Sequence, residues 1–86
     1  MNIWEESTLK IISVRGKASL KEMYSNINHH IELTENHLVI KYGVPTYQHQ
    51  IRAHITDLME KEEVKNVGRG VYAITTKGIA RIKNST

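Results

Sequence analysis

The chain has 86 residues, enough for one domain with one small core if most of its 40% hydrophobic residues are buried, and a net charge of +3 at pH 7. It contains no cysteine, which excludes a disulfide framework, a thiolate zinc site and a cysteine nucleophile. No apolar run approaches the roughly 18–20 residues that span a bilayer, and the opening Met1-Asn2-Ile3-Trp4-Glu5-Glu6 is acidic where a secretory leader is basic and then apolar, so a cytoplasmic location without membrane contact is expected.

Ile3, Trp4, Thr8, Ile11, Ile12 and Arg15 recur at spacings of three and four. They predict a first helix over residues 3–14, closed by Gly16 as a left-handed cap. Residues 17–19 read as a short strand, and Ser19 is placed to cap a second helix whose stripe is Leu20, Met23, Tyr24, Ile27 and Ile31. Trp4 and Tyr24 are expected in the core, with Trp4 on the first helix also a candidate dimer anchor. Thr34 can cap a short helix through Leu38 and Val39 to Tyr42. Leu38-Val39-Ile40 reads equally as a strand, because three consecutive apolar residues do not discriminate; helix is the preferred reading.

Gly43-Val44-Pro45 breaks the chain, and Pro45 or Thr46 opens a long helix over residues 47–61. Tyr47, Ile51, Ile55, Leu58 and Met59 form its core stripe. At about 100° per residue, His49, Arg52, Ala53, Thr56, Asp57 and Glu60 fall opposite, with Gln50 near the edge. The donors lie in the N-terminal half of that face. Arginine pairs bidentately with guanine and glutamine with adenine, while small Ala53 and Thr56 permit close approach to base edges or a thymine methyl. The amides near Thr46 and Tyr47 add a helix N-terminus suited to a phosphate. Glu60, Glu62 and Glu63 at the other end are repelled by one.

Residues 64–67 and 71–75 are β-forming runs separated by Gly68-Arg69-Gly70, which predicts a hairpin with Arg69 at its tip. Tyr72 either packs under this hairpin or offers its hydroxyl to a phosphate. Thr75-Thr76-Lys77-Gly78 then leads into Ile79, Ala80 and Ile82, a turn or short helix capped by threonine and ending in solvent at Asn84-Ser85-Thr86.

The charges are unevenly spread. From Val64 on all five are positive (Lys65, Arg69, Lys77, Arg81 and Lys83), whereas the preceding residues hold seven Lys and Arg against nine Asp and Glu. A second basic cluster is Lys10, Arg15, Lys17 and Lys21, with Glu22 nearby.

Ile51-Arg52, Ile55, Leu58, Val64, Gly68-Arg69-Gly70-Val71-Tyr72, Ile74-Thr75 and Lys77-Gly78 together resemble winged helix-turn-helix domains, such as the N-terminal domain of Mrr-type restriction proteins and small prokaryotic or phage regulators. The likeness is specific over about the last 45 residues and extends to the first half only in helix order. It implies an α+β fold with a three- to four-helix core, a C-terminal β-hairpin wing, and double-stranded DNA as partner. Residues 47–57 match the recognition helix and Arg69 the wing tip. One departure is Glu62-Glu63, where such domains commonly place a glycine; it implies a helix that ends without a left-handed cap or runs on slightly.

The expected DNA-contacting set is therefore Thr46, Tyr47, Gln48, His49, Gln50, Arg52, Ala53, Thr56, Lys65, Arg69 and Lys77. No enzyme activity and no cofactor are expected. His49 and His54 stand about 140° apart on the helix and His29 and His30 about 100° apart, so no shared metal ion is anticipated. No paired-carboxylate, Ser-His-Asp or phosphate-loop pattern occurs. A homodimer on a palindromic site is a possible assembly, with Trp4 or the first helix as its seam. The alternative from another class is a winged helix that binds a protein, as an adaptor or inhibitor, a use suited to the exposed acids Asp57 and Glu60 and the small net charge.

Overall fold

In the computed structural model, which describes residues 2–84, the chain is an α+β protein of five α-helices, a three-stranded antiparallel sheet and a separate two-stranded hairpin. Helix α1 (Ile3–Ser13) begins at Asn2, whose Oδ1 accepts the Trp4 amide at 2.7 Å and satisfies one of the orphan donors of the first turn. The helix packs against α2, α4, α5 and β5, defined below. Because neighbours cover it from several sides, it has no single apolar stripe: Leu9, Ser7 and Glu5 are buried with Thr8, Ile11 and Ile12, whereas Ile3 is 55% exposed and Arg15 lies in solvent. Gly16, at φ +82°, turns the chain two residues past the Val14 cap, and its carbonyl accepts the Ile74 amide.

Strand β1 (Lys17–Ser19) runs into α2 (Leu20–Asn26), continued by a single 3-10 turn (Ile27–His29). Ser19 and Glu22 form a reciprocal capping box, with the Glu22 amide donating to Ser19 Oγ at 3.1 Å. Met23 and Ile27 are fully buried, and Leu20, Tyr24 and Ile31 pack half-buried around them, as the periodicity predicts.

The next segment contains both readings of its sequence, each in shortened form. Helix α3 (Glu35–Leu38) is only four residues long, Val39 is extended, and β2 (Ile40–Lys41) pairs antiparallel with β3 (Val44–Pro45). Tyr42 and Gly43 form the two-residue turn between them, at φ 52° and 84°. The preferred helix to Tyr42 therefore stops early, because the Val39 carbonyl is bound instead by the amide and hydroxyl of Thr46, at 2.8 and 2.7 Å. A left-handed tyrosine costs about 1–2 kcal/mol relative to ordinary backbone.

Helix α4 (Thr46–Glu60) presents buried Ile51, Ile55 and Leu58 to the core, with Tyr47 and Met59 half-buried on the same face. Its end differs from both sequence expectations. Glu62 itself takes the left-handed conformation, φ 61°, while the Glu62 amide donates to the Met59 carbonyl and the Glu63 amide to that of Leu58. A glutamate thus occupies the capping conformation that glycine normally serves, and the turn directs Glu63 into the interior.

Strands β4 (Val64–Gly68) and β5 (Val71–Ile74) form the predicted hairpin, and β1 adds to its other side, giving the order β1-β5-β4. Gly70, at φ 66°, supplies the positive dihedral of the turn, while Gly68 closes β4 without one. A bulge between Asn66 and Gly68 re-aims the strand just before the turn. Helix α5 (Thr76–Asn84) starts where Thr75 Oγ1 accepts the Gly78 amide at 3.1 Å. Gly78 is buried, and a Cβ there collides with the Glu63 carbonyl and the Ile74 side chain, so the helix can lie against the α4–β4 turn only with no side chain at this position. Ser85 and Thr86 of the predicted solvent-exposed tail lie outside the described residues.

Leu9, Ile11, Ile12, Ala18, Met23, Ile27, Ile51, Ile55, Leu58 and Val64 make one continuous core among the helices and sheet, and Trp4, Tyr24 and Tyr72 pack around it half-buried. No helix among the described residues is long and apolar enough to cross a membrane.

Candidate nucleic-acid interface

Three core-facing positions on α4 fix the orientation of the whole helix, so Arg52, Ala53 and Thr56 are exposed away from the core, with Gln50 exposed at the edge. Thr56 donates its hydroxyl to the Arg52 carbonyl at 3.2 Å, and Arg52 is exposed next to the small Ala53. Beside this face runs an open groove of about 460 Å³, lined by Leu20, His49, Arg52, Ala53, Thr56 and Tyr72. Its walls come from the start of α2, from α4 and from β5. The Gly70 carbonyl accepts the Leu20 amide at 2.8 Å, so the β4–β5 turn that exposes Arg69 abuts the groove's edge.

Of the tyrosines, Tyr72 lines the groove. Tyr24 and Tyr47 meet edge-to-face at 6.5 Å. Burial raises the Tyr24 pKa above its usual value, against the opposing pull of the nearby Arg52 charge. Tyr72 is half-buried between Ala18 and Asn66, its register partners on either side, and reaches the groove from the core face of the sheet.

Not every residue of the sequence-predicted set is brought together. His49, Arg52, Ala53 and Thr56 line the groove together, with Arg69 exposed in the turn at its border, whereas Gln50 is exposed at the edge of the face and does not line the groove. Tyr47 is directed into the core stripe, with Gln48 Nε2 donating to its hydroxyl at 3.4 Å. The Thr46 amide is already bonded to Val39, so the first amide of α4 is not available to a phosphate. Lys65 pairs with Ala73 in the register, one residue off Tyr72, and strand alternation places it on the opposite face of the sheet from the groove. Lys77 is exposed on the first turn of α5, away from the residues that line the groove.

The sequence passed over the β2–β3 hairpin. His49 Nε2 lies 2.7 Å from the Lys41 carbonyl, a bond that requires the ring nitrogen to donate, and the Tyr42 ring stands edge-on to His49 at 6.0 Å. The signal was present as Tyr42-Gly43 between Ile40 and Val44, but the usual Asn-Gly or Asp-Gly of such turns was missing. No Asp or Glu occurs between Glu35 and Asp57, so the hairpin and the N-terminal half of α4 together are free of acidic side chains.

The other end of α4 is a different electrostatic environment. Glu5, 7% exposed at its side chain, accepts from Lys61 Nζ and Arg81 Nη2, each at 3.0 Å, and lies 3.4 Å from His54 Nδ1; Arg81 also bonds Glu63. Burial pushes the Glu5 carboxyl toward neutrality, but the hydrogen bonds and charges of Lys61 and Arg81 outweigh it and hold its pKa below the usual range. Arg81, counted among the tail's positive charges in the sequence, is therefore neutralised internally. Glu5, His54 and Asp57 each place one potential metal-ligand atom within 4.8 Å of the others. Glu5 Oε1 is held by two cations, whose charge opposes a metal ion at this point.

Comparison with protein-family models, with curated proteins and with solved structures finds nothing that matches this chain.

Proposed function

We propose that this protein is a winged helix-turn-helix domain that binds double-stranded DNA. The observation that carries the reading is the N-terminal half of the outer face of α4, which bears Arg52 and no acidic residue and is bordered by a β-hairpin turn that exposes Arg69. The order α1-β1-α2-α3-α4-β4-β5 and the β1-β5-β4 sheet fit a winged helix in which α4 is the recognition helix and β4–β5 the wing. The N-terminal half of α4 enters the major groove. Arg52 is suited to guanine and Gln50 to adenine, while Ala53 and Thr56 allow the close approach that base contacts require. Arg69 meets the neighbouring minor groove or the backbone. Such a domain suits a small cytoplasmic transcriptional regulator or a restriction-associated or phage module, with a homodimer adding affinity on a palindromic site.

The test is fluorescence anisotropy of a labelled random duplex at several salt concentrations. Binding in the micromolar range that weakens steeply with salt is expected. Arg69→Ala should reduce the slope of log affinity against log salt by about 0.9, and Arg52→Ala should weaken duplex binding by about 1–3 kcal/mol. Variants that bind as tightly as the wild type overturn this contact assignment. The reading of the domain as a protein-binding module is favoured by one observation, the exposed apolar run Leu38, Val39 and Ile40, at 52, 49 and 62%. Duplex binding absent even at low salt decides for that module.

A further inference from the structure

We propose that the β2–β3 turn, Lys41-Tyr42-Gly43, is a second DNA-contacting element that meets the duplex backbone beside the N-terminal half of α4. The inference rests on the DNA-binding reading above and adds a contact that neither α4 nor the β4–β5 wing provides.

Tyr42 is 97% exposed and sits at φ 52°. Turns of this kind favour asparagine, aspartate or glycine at that position, and a side chain left in solvent gains no burial energy to offset the unfavourable backbone. Tyr42 therefore contributes nothing to the core and opposes the turn it occupies, which directs attention to contacts outside the chain.

The tip is nevertheless held in a defined place. His49 donates to the Lys41 carbonyl at 2.7 Å, and its ring stands edge-on to that of Tyr42 at 6.0 Å. At the base of the hairpin, the amide and hydroxyl of Thr46 both bind the Val39 carbonyl. Two attachments thus fix the hairpin to α4, at His49 about one helical turn before Arg52 and at Thr46 nearly two turns before it. His49 belongs to both neighbourhoods, since it also lines the groove beside Arg52. The resulting strip, from Lys41 and Tyr42 through His49 to Arg52, lies wholly within the segment that lacks Asp and Glu.

Its chemistry suits phosphate. The Lys41 ammonium supplies charge, and the Tyr42 hydroxyl supplies a hydrogen-bond donor at the end of a rigid ring. The Lys41 charge and the Tyr42 hydroxyl, continuous with the face of α4 that bears Arg52, are complementary to a nucleic-acid backbone.

The experiment compares wild-type protein with Tyr42→Asn and Lys41→Gln, measuring binding to a labelled random duplex across salt concentrations and thermal stability by circular dichroism. Asparagine is better suited to the positive φ, so Tyr42→Asn should melt at or above the wild-type temperature while binding roughly tenfold more weakly. Lys41→Gln should lower the salt slope by about 0.9. A Tyr42→Asn variant that binds as tightly as wild type, or that melts lower in step with its lost binding, overturns the hairpin contact. An unchanged salt slope in Lys41→Gln does the same. If Arg52→Ala remains defective in either case, the α4 interface stands without the hairpin; if the wild type binds no duplex at low salt, both proposals fall.

Discussion

The two ends of α4 use charge in opposite ways. At the C-terminal end, Glu5, Lys61, Arg81 and Glu63 converge from α1, α4, α5 and the intervening turn, so the charges are bound to one another. At the N-terminal end, Arg52 and Lys41 are exposed within a stretch that has no Asp or Glu between Glu35 and Asp57. A charge cancelled inside the fold holds elements together and has little field left for a partner; one exposed without a nearby acid adds little to stability and projects its field outward. The comparison predicts that stability and binding can be removed separately from the two ends of one helix.

The largest effect should come from Arg81→Ala. It strips Glu63 of its partner and leaves Glu5 with Lys61 alone, which for buried pairs costs about 3–5 kcal/mol. Urea unfolding should show it, and where the variant remains folded at low temperature its duplex affinity should match the wild type. Arg52→Ala should give the converse result, a loss of about 1–3 kcal/mol in duplex binding with an unchanged urea midpoint. Equal losses of stability in the two variants would remove the distinction between the ends.

Acid offers a milder perturbation of the closed end. The folded Glu5 pKa lies below its ordinary value of 4.5, so the unfolded chain takes up a proton first as the pH falls. The stability supplied by this group is present above about pH 4.5 and is lost as the pH drops through the lower folded pKa. Urea midpoints measured downward from neutral pH should fall in this window, and by less in Glu5→Gln than in the wild type. The smallest effect is a gain: Glu62→Gly relieves the left-handed backbone after α4 and should stabilise by about 1 kcal/mol, read as a higher melting temperature with unchanged duplex binding.

Where local chemistry and tertiary demand coincide, the sequence is legible. Ser19 with Glu22, the stripe from Leu20 to Ile31, the Ile51, Ile55 and Leu58 face of α4, and the Gly70 turn all appear as their spacing and residue types predict. Much of the candidate interface follows from the same logic, because placing three apolar residues of α4 in the core leaves Arg52, Ala53 and Thr56 outside. The misreadings occur where a residue acts against its local preference. Tyr42 and Glu62 take conformations suited to glycine or asparagine, so the β2–β3 turn lacks the usual Asn-Gly or Asp-Gly pair and the end of α4 lacks a capping glycine.

The sequence by itself determined the α+β character, the helix that faces outward with Arg52, and the glycine turn that carries Arg69, because periodicity and turn chemistry act over a few residues. Only the tertiary structure decided that Lys65 lies on the far face of the sheet, that Thr46 is bound to Val39, and that Arg81 is paired with Glu5, 76 positions away. These outcomes depend on strand register and on which elements pack together. A charge in the sequence is only a charge; its partner, and therefore its use, is assigned when distant segments meet.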